Sequence, residues 1–304
     1  MTEPLDSLAR RVAHECVCEH CHPAAVSEAR RVIAVAVADE LSKGHNPEVL
    51  FDAMYKSIAP YERQIRTMLH DVWEKQRKTI VANIRKYRKG MNWKDAVDQL
   101  LYPSGVYVKE VADEMTNIFI DLVEAEGTRT VAVYDFDMVF DVYNPNVTRW
   151  LNTYVPKFSK DLDKVSKKKL RDHLIEGIKA GEGIPELIKR VNTTYANWNR
   201  ARSERIARSE TIRASNAAAK EVYRQSGVVK KIVWITALDD RTCPWCEELD
   251  GKVVDIEENF FNLGDEFTIT RDGERQTMTF DYTDIGYPPA HVSCRCALGP
   301  MIED

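Results

Sequence analysis

Between Tyr61 and Lys94 apolar residues return at Ile65, Leu69, Trp73, Ile80 and Ile84 with polar side chains between them. That is roughly the interval at which a helix repeats, so the stretch predicts an amphipathic α-helix. Pro103-Ser104-Gly105 breaks the block, and a further helix is expected over Val111 to Glu124. From Thr128 to Asn146 the pattern is ambiguous: Val131, Val133, Tyr134, Phe136 and Val139 suit either short strands or an irregular connector. Helical spacing returns over Lys164 to Ala180 and stops at Gly181-Glu182-Gly183. It resumes behind Pro185, a residue suited to a first helical turn, and runs toward Arg190. In the next helix Ala207, Thr211, Ala214, Ala218 and Val222 share one face, and small residues there let a neighbour approach closely. Glu210 lies on or beside that face. A buried carboxylate needs a partner, so a structural ion pair with Arg202, Arg205, Arg208 or Arg213 is expected rather than a catalytic role.

Gly227 ends this helix, and the continuous apolar centre of Lys231-Ile232-Val233-Trp234-Ile235-Thr236 predicts a strand buried on both faces. Farther on, Phe267–Thr270 and Gln276–Phe280 flank Asp272-Gly273, the signature of a tight hairpin of type I′.

The chemistry is concentrated in cysteine. All seven cysteines fall in two short clusters. The later one is Cys243-Pro244-Trp245-Cys246 followed by His291-Val292-Ser293-Cys294-Arg295-Cys296. Structural zinc takes four nitrogen or sulfur ligands in a tetrahedron, and a Cys-x-x-Cys turn supplies two of them from one loop. Here Cys243, Cys246, His291, Cys294 and Cys296 compete for four places. Cys243 and Cys246 form the firmer pair, because Pro244 presets the turn between them and Leu249-Asp250-Gly251 redirects the chain toward Val253-Val254. The member of His291, Cys294 and Cys296 that stays outside is left open. Disulfides would need an oxidising compartment, and Met1-Thr2-Glu3-Pro4 does not begin a charged-then-apolar secretory signal, so reduced thiols are expected. The earlier cluster, His14, Cys16, Cys18, His20, Cys21 and His22, is a candidate second metal site with no clear ligand frame; the competing reading is a loosely tied terminus.

These readings combine into an α+β chain: an elongated, mainly helical N-terminal body with a small C-terminal mixed α/β domain stapled by structural zinc. Residues 1–23 form a Cys/His-rich arm, residues 24–200 the helical body and residues 201–304 the metal-stabilised domain. A length of 304 residues is enough for such a division. Val32 to Val37 is the longest apolar run and falls far short of the roughly 20 residues a membrane span needs. From Asp239 to the end there are 16 acidic against 5 basic side chains, a net of about −11, which leaves the rest of the chain near +6. An acidic metal domain is a poor electrostatic reader of nucleic acid. The basic stretches, Tyr61 to Lys94 and Lys157 to Arg171, fit solvated helix faces better than a DNA or membrane surface.

Read in order, Ala201-Arg202-Ser203-Glu204-Arg205-Ile206-Ala207-Arg208-Ser209-Glu210-Thr211, then Trp234-Ile235-Thr236 with Asp240-Arg241-Thr242-Cys243 and Cys246, then Leu249-Asp250-Gly251, and finally Pro288-Pro289-Ala290-His291 with Cys294-Arg295-Cys296, form a connected set. The set resembles the Mu F-like head-morphogenesis (minor head) proteins of tailed bacteriophages. Its motifs cover residues 200 to 300, with looser agreement at Phe136 to Leu151 and around Gly181 to Ile188. The resemblance implies a structural virion component and not an enzyme. It would be assembled in the host cytoplasm, sit at the portal vertex inside the capsid, and act in head assembly and in genome packaging and delivery. The implied partners are the phage portal protein, the major capsid or scaffolding protein, and packaged DNA contacted without sequence specificity by the basic helices; no membrane is involved in the assembled state. Asp240, Arg241, Asp250 and Gly251 would shape the loops around the ligands.

Two other classes compete. A zinc-dependent hydrolase or nuclease-like enzyme would draw on Glu247 and Glu248 beside Cys246, but catalytic zinc needs an open coordination position and five donors for four places argue for closure. The His-x-Glu element of zinc deaminases is also missing before the Cys pair. A non-specific DNA-binding module would rest on the Lys/Arg of the Tyr61 to Lys94 helix.

Overall fold

The computed structural model describes residues 47–86, 93–237, 240–271 and 273–301. The early cluster His14, Cys16, Cys18, His20, Cys21 and His22 lies outside them. Helices run over α1 (Pro47–Lys86), α2 (Trp93–Leu100), α3 (Val108–Val133), α4 (Pro145–Lys179) and α5 (Ile184–Asn197). A π-helical turn, Trp198–Arg202, then leads into α6 (Ser203–Ser226). The remainder is β1 (Lys231–Ile235), α7 (Pro244–Leu249), β2 (Val253–Asp255), β3 (Glu266–Arg271), β4 (Glu274–Thr279) and β5 (Ala297–Met301). A mostly helical N-terminal body with a small C-terminal antiparallel sheet region is therefore what the chain builds. Among the described residues no helix is long and apolar enough to cross a membrane.

Helical periodicity located the core but not the helix ends. Ile65, Leu69, Trp73, Ile80 and Ile84 are all buried, as are Ala207, Thr211, Ala214, Ala218 and Val222. Yet α1 extends upstream through Pro60, and α4 begins at Pro145, well before Lys164. The ambiguous stretch resolves against strands: α3 continues through Val133, and an irregular connector follows in which Asp135 takes a positive φ of 51°. The aromatic residues there pack on a helix, Tyr134 and Phe136 meeting the Tyr223 ring edge-on at 5.7 and 6.3 Å. Tertiary packing thus overrides their β propensity.

Two compact units form. One gathers the described residues before Pro60, Asp121–Asn144 and the described residues from Thr211 to Met301. Its three-stranded antiparallel sheet has the order β2-β1-β5, with Ile232 opposite both Val254 and Pro300, and Trp234 opposite Leu298. The expectation that this first strand is buried on both faces is corrected by its alternation: Ile232 and Trp234 are fully buried, whereas Lys231, Val233 and Ile235 are only half covered. The buried face joins a core with Val222, Tyr223, Leu249, Phe260 and Phe280. On the other face Gly299 is required, since a Cβ there would lie 2.5 Å from Cδ1 of Ile235. The hairpin forms as predicted, Arg271 pairing with Glu274 across a two-residue turn in which Gly273 has a φ of 80°.

This unit also holds a buried polar knot. Glu126 is fully buried and accepts hydrogen bonds from Ser57 Oγ at 2.5 Å, Ser215 Oγ at 2.6 Å and Arg129 Nη2 at 3.0 Å, which ties α1, α3 and α6 together. Lys220, 4% exposed, donates to the carbonyls of Glu258 and Gly286, both at 3.1 Å. Burial lowers its pKa to about 8.

The other unit comprises Pro60–Ile120 and Pro145–Glu210. Trp73 and Trp198 face one another at 5.4 Å, and the Arg202 guanidinium lies over both rings, 4.5 Å from that of Trp198, while donating to Ser166 Oγ at 2.9 Å. Burial lowers the Arg202 pKa to about 10. Arg202 is thus engaged by the two tryptophan rings and Ser166. The Tyr154 hydroxyl donates to Glu210 at 2.6 Å, from an aromatic row along α4 in which Trp150, Tyr154 and Phe158 stack in succession.

Removing one side of a buried ion pair leaves the other charge uncompensated. Glu126→Ala is expected to destabilise the first unit by about 3–5 kcal/mol, read as a lowered urea midpoint with the slope unchanged.

Candidate metal centre

The five sequence-predicted donors all converge in the first unit. Cys243 and Cys246 follow β1, and His291, Cys294 and Cys296 lie between the hairpin and β5. Pro244 does more than preset a turn: it starts α7, with Cys243 as the N-terminal cap whose sulfur accepts the backbone N–H of Cys246 at 3.4 Å. The two Cys sulfurs are thereby turned to one side of a short helix. Asp250 and Gly251, the latter with a φ of 75°, reverse the chain beyond it. Asp250 Oδ1 accepts the N–H of Thr236 at 2.7 Å, fixing the end of β1 to the loop.

His291 Nε2 lies 3.1 Å from both Cys243 Sγ and Cys246 Sγ, and Cys246 Sγ lies 3.8 Å from Cys294 Sγ. Two donor triads result, Cys243–Cys246–His291 and Cys246–Cys294–Cys296, with Cys246 common to both. In a tetrahedron with metal–sulfur bonds of 2.3 Å, neighbouring sulfurs are about 3.8 Å apart and a sulfur and an imidazole nitrogen about 3.6 Å apart. The Cys246–Cys294 edge already has that length, and the imidazole edges need open by only about half an ångström. The donor set can hold a metal ion.

Charge in the cluster is shared through hydrogen bonds. The Cys246 thiol, and then His291, hold the Cys243 pKa down to about 4. Bonds from Cys246 and Cys296 hold Cys294 well below the thiol range. Cys246 is driven upward by donating to Cys243. His291 is raised: burial opposes its charge, but the Cys243 sulfur and the Val292 carbonyl, 2.9 Å from Nδ1, outweigh that. Thiolate character at Cys243 and Cys294 is what a cation requires.

Several supporting residues carry no ligand signature. The Thr236 hydroxyl donates to the Cys246 carbonyl at 2.8 Å and meets Cys296 Sγ at 3.5 Å. Asn216, in mid-α6, donates to the Cys296 carbonyl at 3.2 Å and accepts the N–H of Leu298 at 2.8 Å, setting the start of β5. The Tyr55 hydroxyl donates to the Arg295 carbonyl at 2.7 Å. Thr236 was visible in the sequence only as the end of the predicted strand, and no local pattern marked Asn216 or Tyr55. A cavity of about 480 Å³ opens beside the cluster, with Arg241, Trp245, Met278 and Arg295 among its walls. Glu247 and Glu248, the candidate catalytic carboxylates, are both exposed, and Glu247 faces Arg271 at 3.8 Å.

Comparison with known proteins places this site in a family. The family model described as Phage Mu protein F like protein matches residues 168–299, a span that contains α5, α6 and all five donors. Residues 168–299 belong to the Mu F-like family. The chain outside that span also has relatives. The minor head protein GP7 of Bacillus phage SPP1 is 24% identical over 276 residues, covering 82% of this chain and 80% of that protein. The uncharacterized protein YqbB of Bacillus subtilis is 24% identical over 199 residues, 65% of this chain but 58% of its own length. An NAD(+)–arginine ADP-ribosyltransferase of Enterococcus faecalis, EFV, is 28% identical over 136 residues, 43% of this chain and 25% of that protein. No solved structure matches the chain. The Mu F-like match thus covers the part of the chain in which the five candidate donors converge.

Thr236→Val keeps the side-chain volume but leaves the Cys246 carbonyl without its donor. A loss of about 1–3 kcal/mol in chemical unfolding is expected, against a wild-type control.

Proposed function

We propose that this protein is a structural minor head protein of a tailed phage, associated with the portal vertex inside the capsid and acting in head assembly and in genome packaging and delivery. The observation that carries the reading is the match to GP7 along four fifths of both chains, joined to the Mu F-like match over the metal centre. Its partners are the portal protein and the major capsid or scaffolding protein, with packaged DNA contacted non-specifically. Within the chain, the helical part would dock and the C-terminal part that holds the five donors would be the metal-stabilised adaptor. The likeness to an ADP-ribosyltransferase is consistent with this, because the shared stretch is a quarter of that enzyme.

The metal is zinc and its role is structural. Cys243, Cys246, His291 and Cys294 supply the tetrahedron, while Cys296 stays outside and meets the Thr236 hydroxyl. The contacts of His291 with both members of the Cys-x-x-Cys pair support this choice, as does the tetrahedral length of the Cys246–Cys294 edge. Ligand bonds offset the chain entropy of a small sheet whose hairpin is largely exposed.

Elemental analysis of the purified protein is expected to give at least one zinc per chain. Cys243→Ser should lose the metal and the amide-exchange protection of Lys231–Met301 while α4 and α5 keep theirs; Cys296→Ser should retain zinc. A metal-free wild type with the sheet intact would refute the zinc assignment. For the head role, procapsids assembled without the portal protein are expected to lack this chain, and its full incorporation into such particles would refute portal association.

A further inference from the structure

We propose that the outward face of α4 is a seat for the phosphate backbone of double-helical DNA, with Lys160, Lys164 and Lys168 as its central row. The inference rests on the head-protein reading and names the surface on which packaged DNA lies. Val155, Leu162, Leu170 and Leu174 bury the opposite face of α4. The three lysines follow one another at four-residue steps and are all exposed, as is Lys169 on the flank. Each step advances about 6 Å along the helix axis, so the row presents a line of charge rather than a point.

What separates this face from the other basic helix is an unbroken central row of unpaired cations. On α1 the central cations are matched, Lys75 with Glu110 and Arg77 and Lys78 both with Glu74, and the exposed Arg63, Arg66, Arg85 and Lys86 lie toward either side of them without forming one row. At the far end of α4, Arg171 is paired with Asp98, and Lys167 donates to Ser104 at 2.6 Å. Among the described residues, Lys160, Lys164, Lys168 and Lys169 have no carboxylate within ion-pair distance. Asp161 and Asp172 are exposed on the same helix and temper the field without pairing with these lysines. Unpaired cations can neutralise phosphates and release their condensed counterions, which is the main source of non-specific affinity for DNA.

The division into compact units sharpens the charge argument. The unit that contains this face, residues 60–120 and 145–210, holds 26 Lys/Arg against 16 Asp/Glu, a net of about +10. The remainder of the chain holds 17 against 32, a net of about −15. A polyanion is attracted to the first and repelled by the second. Lysine is a flexible point charge without the planar fork that reads guanine, so the contact is independent of sequence.

The test uses the full-length protein, a short fluorescent DNA duplex of mixed sequence and a series of salt concentrations. The wild type should bind with an affinity that falls linearly on a log–log plot against salt. The triple variant Lys160→Gln, Lys164→Gln, Lys168→Gln should bind at least about tenfold more weakly at low salt, with a slope shallower by about 2.7, three phosphate contacts at about 0.9 each. A matched variant of α1, Lys75→Gln with Lys78→Gln, should keep the wild-type slope. Melting curves of all three proteins check that the fold is kept. An unchanged slope in the triple variant, or an equal loss in the α1 variant, would overturn the assignment. So would a wild type that ignores duplex and self-associates in sedimentation through the same lysines, since the face would then serve the acidic unit of a second copy. Incorporation of the triple variant into portal-containing procapsids is measured alongside and should be normal. Failure of the wild type to enter them would count against the head reading alone and leave the duplex measurement standing.

Discussion

The first unit depends on closing a long loop at one sulfur. Cys246 lies in the first turn of the six-residue helix that follows β1, and the side chains that meet it, His291 and Cys294, come 45 and 48 positions later, after a complete hairpin. Bringing such distant segments together costs chain entropy that a three-stranded sheet of short strands repays poorly. A metal held by both ends would repay it directly. The order of elements follows from this constraint. β5 can pair with β1 only if the segment before it has been brought back to the loop that leaves β1.

The apolar and polar packing around the cluster serves the same closure. Asn216 satisfies one carbonyl and one N–H at the start of β5 from a helix that would ordinarily present only a smooth face of small residues. Thr236 and Asp250 hold the two ends of the loop after β1. Lys220 fastens the segments around Glu258 and Gly286, on either side of the hairpin, to α6. Asn216, Thr236 and Lys220 are buried, so a bond omitted at any of them would leave a desolvated polar group behind. The small residues of α6 let the helix come near enough for Asn216 and Lys220 to reach.

Charge is arranged by compact unit more cleanly than by position along the chain. Division at Asp239 separates an acidic end from a mildly basic body, but the acidic connector around Asp135, Asp137 and Asp141 belongs to the acidic unit. The basic unit is then left with a larger excess of cations than the linear count indicates. The pairing of those cations matters as much as their number. Sequence discounted both basic stretches alike, yet several charges within Tyr61 to Lys94 turn out to be matched, whereas a row of lysines within Lys157 to Arg171 is not.

Much of this protein was readable from local pattern. Helical periodicity marked the buried stripes of α1 and α6, Asp272-Gly273 marked the hairpin, and ligand type with Cys-x-x-Cys spacing marked the five donors, because each is a local property of backbone geometry or side-chain chemistry. Long-range partners were not readable. That the Tyr154 hydroxyl reaches Glu210, that Tyr134 and Phe136 pack on a helix rather than in a strand, and that β1 is fully covered on one face only were decided by which segments came to lie beside them. Sequence by itself determined which residues can bind, cap and turn. Tertiary structure alone decided which of them meet, because burial and pairing depend on neighbours distant in the chain.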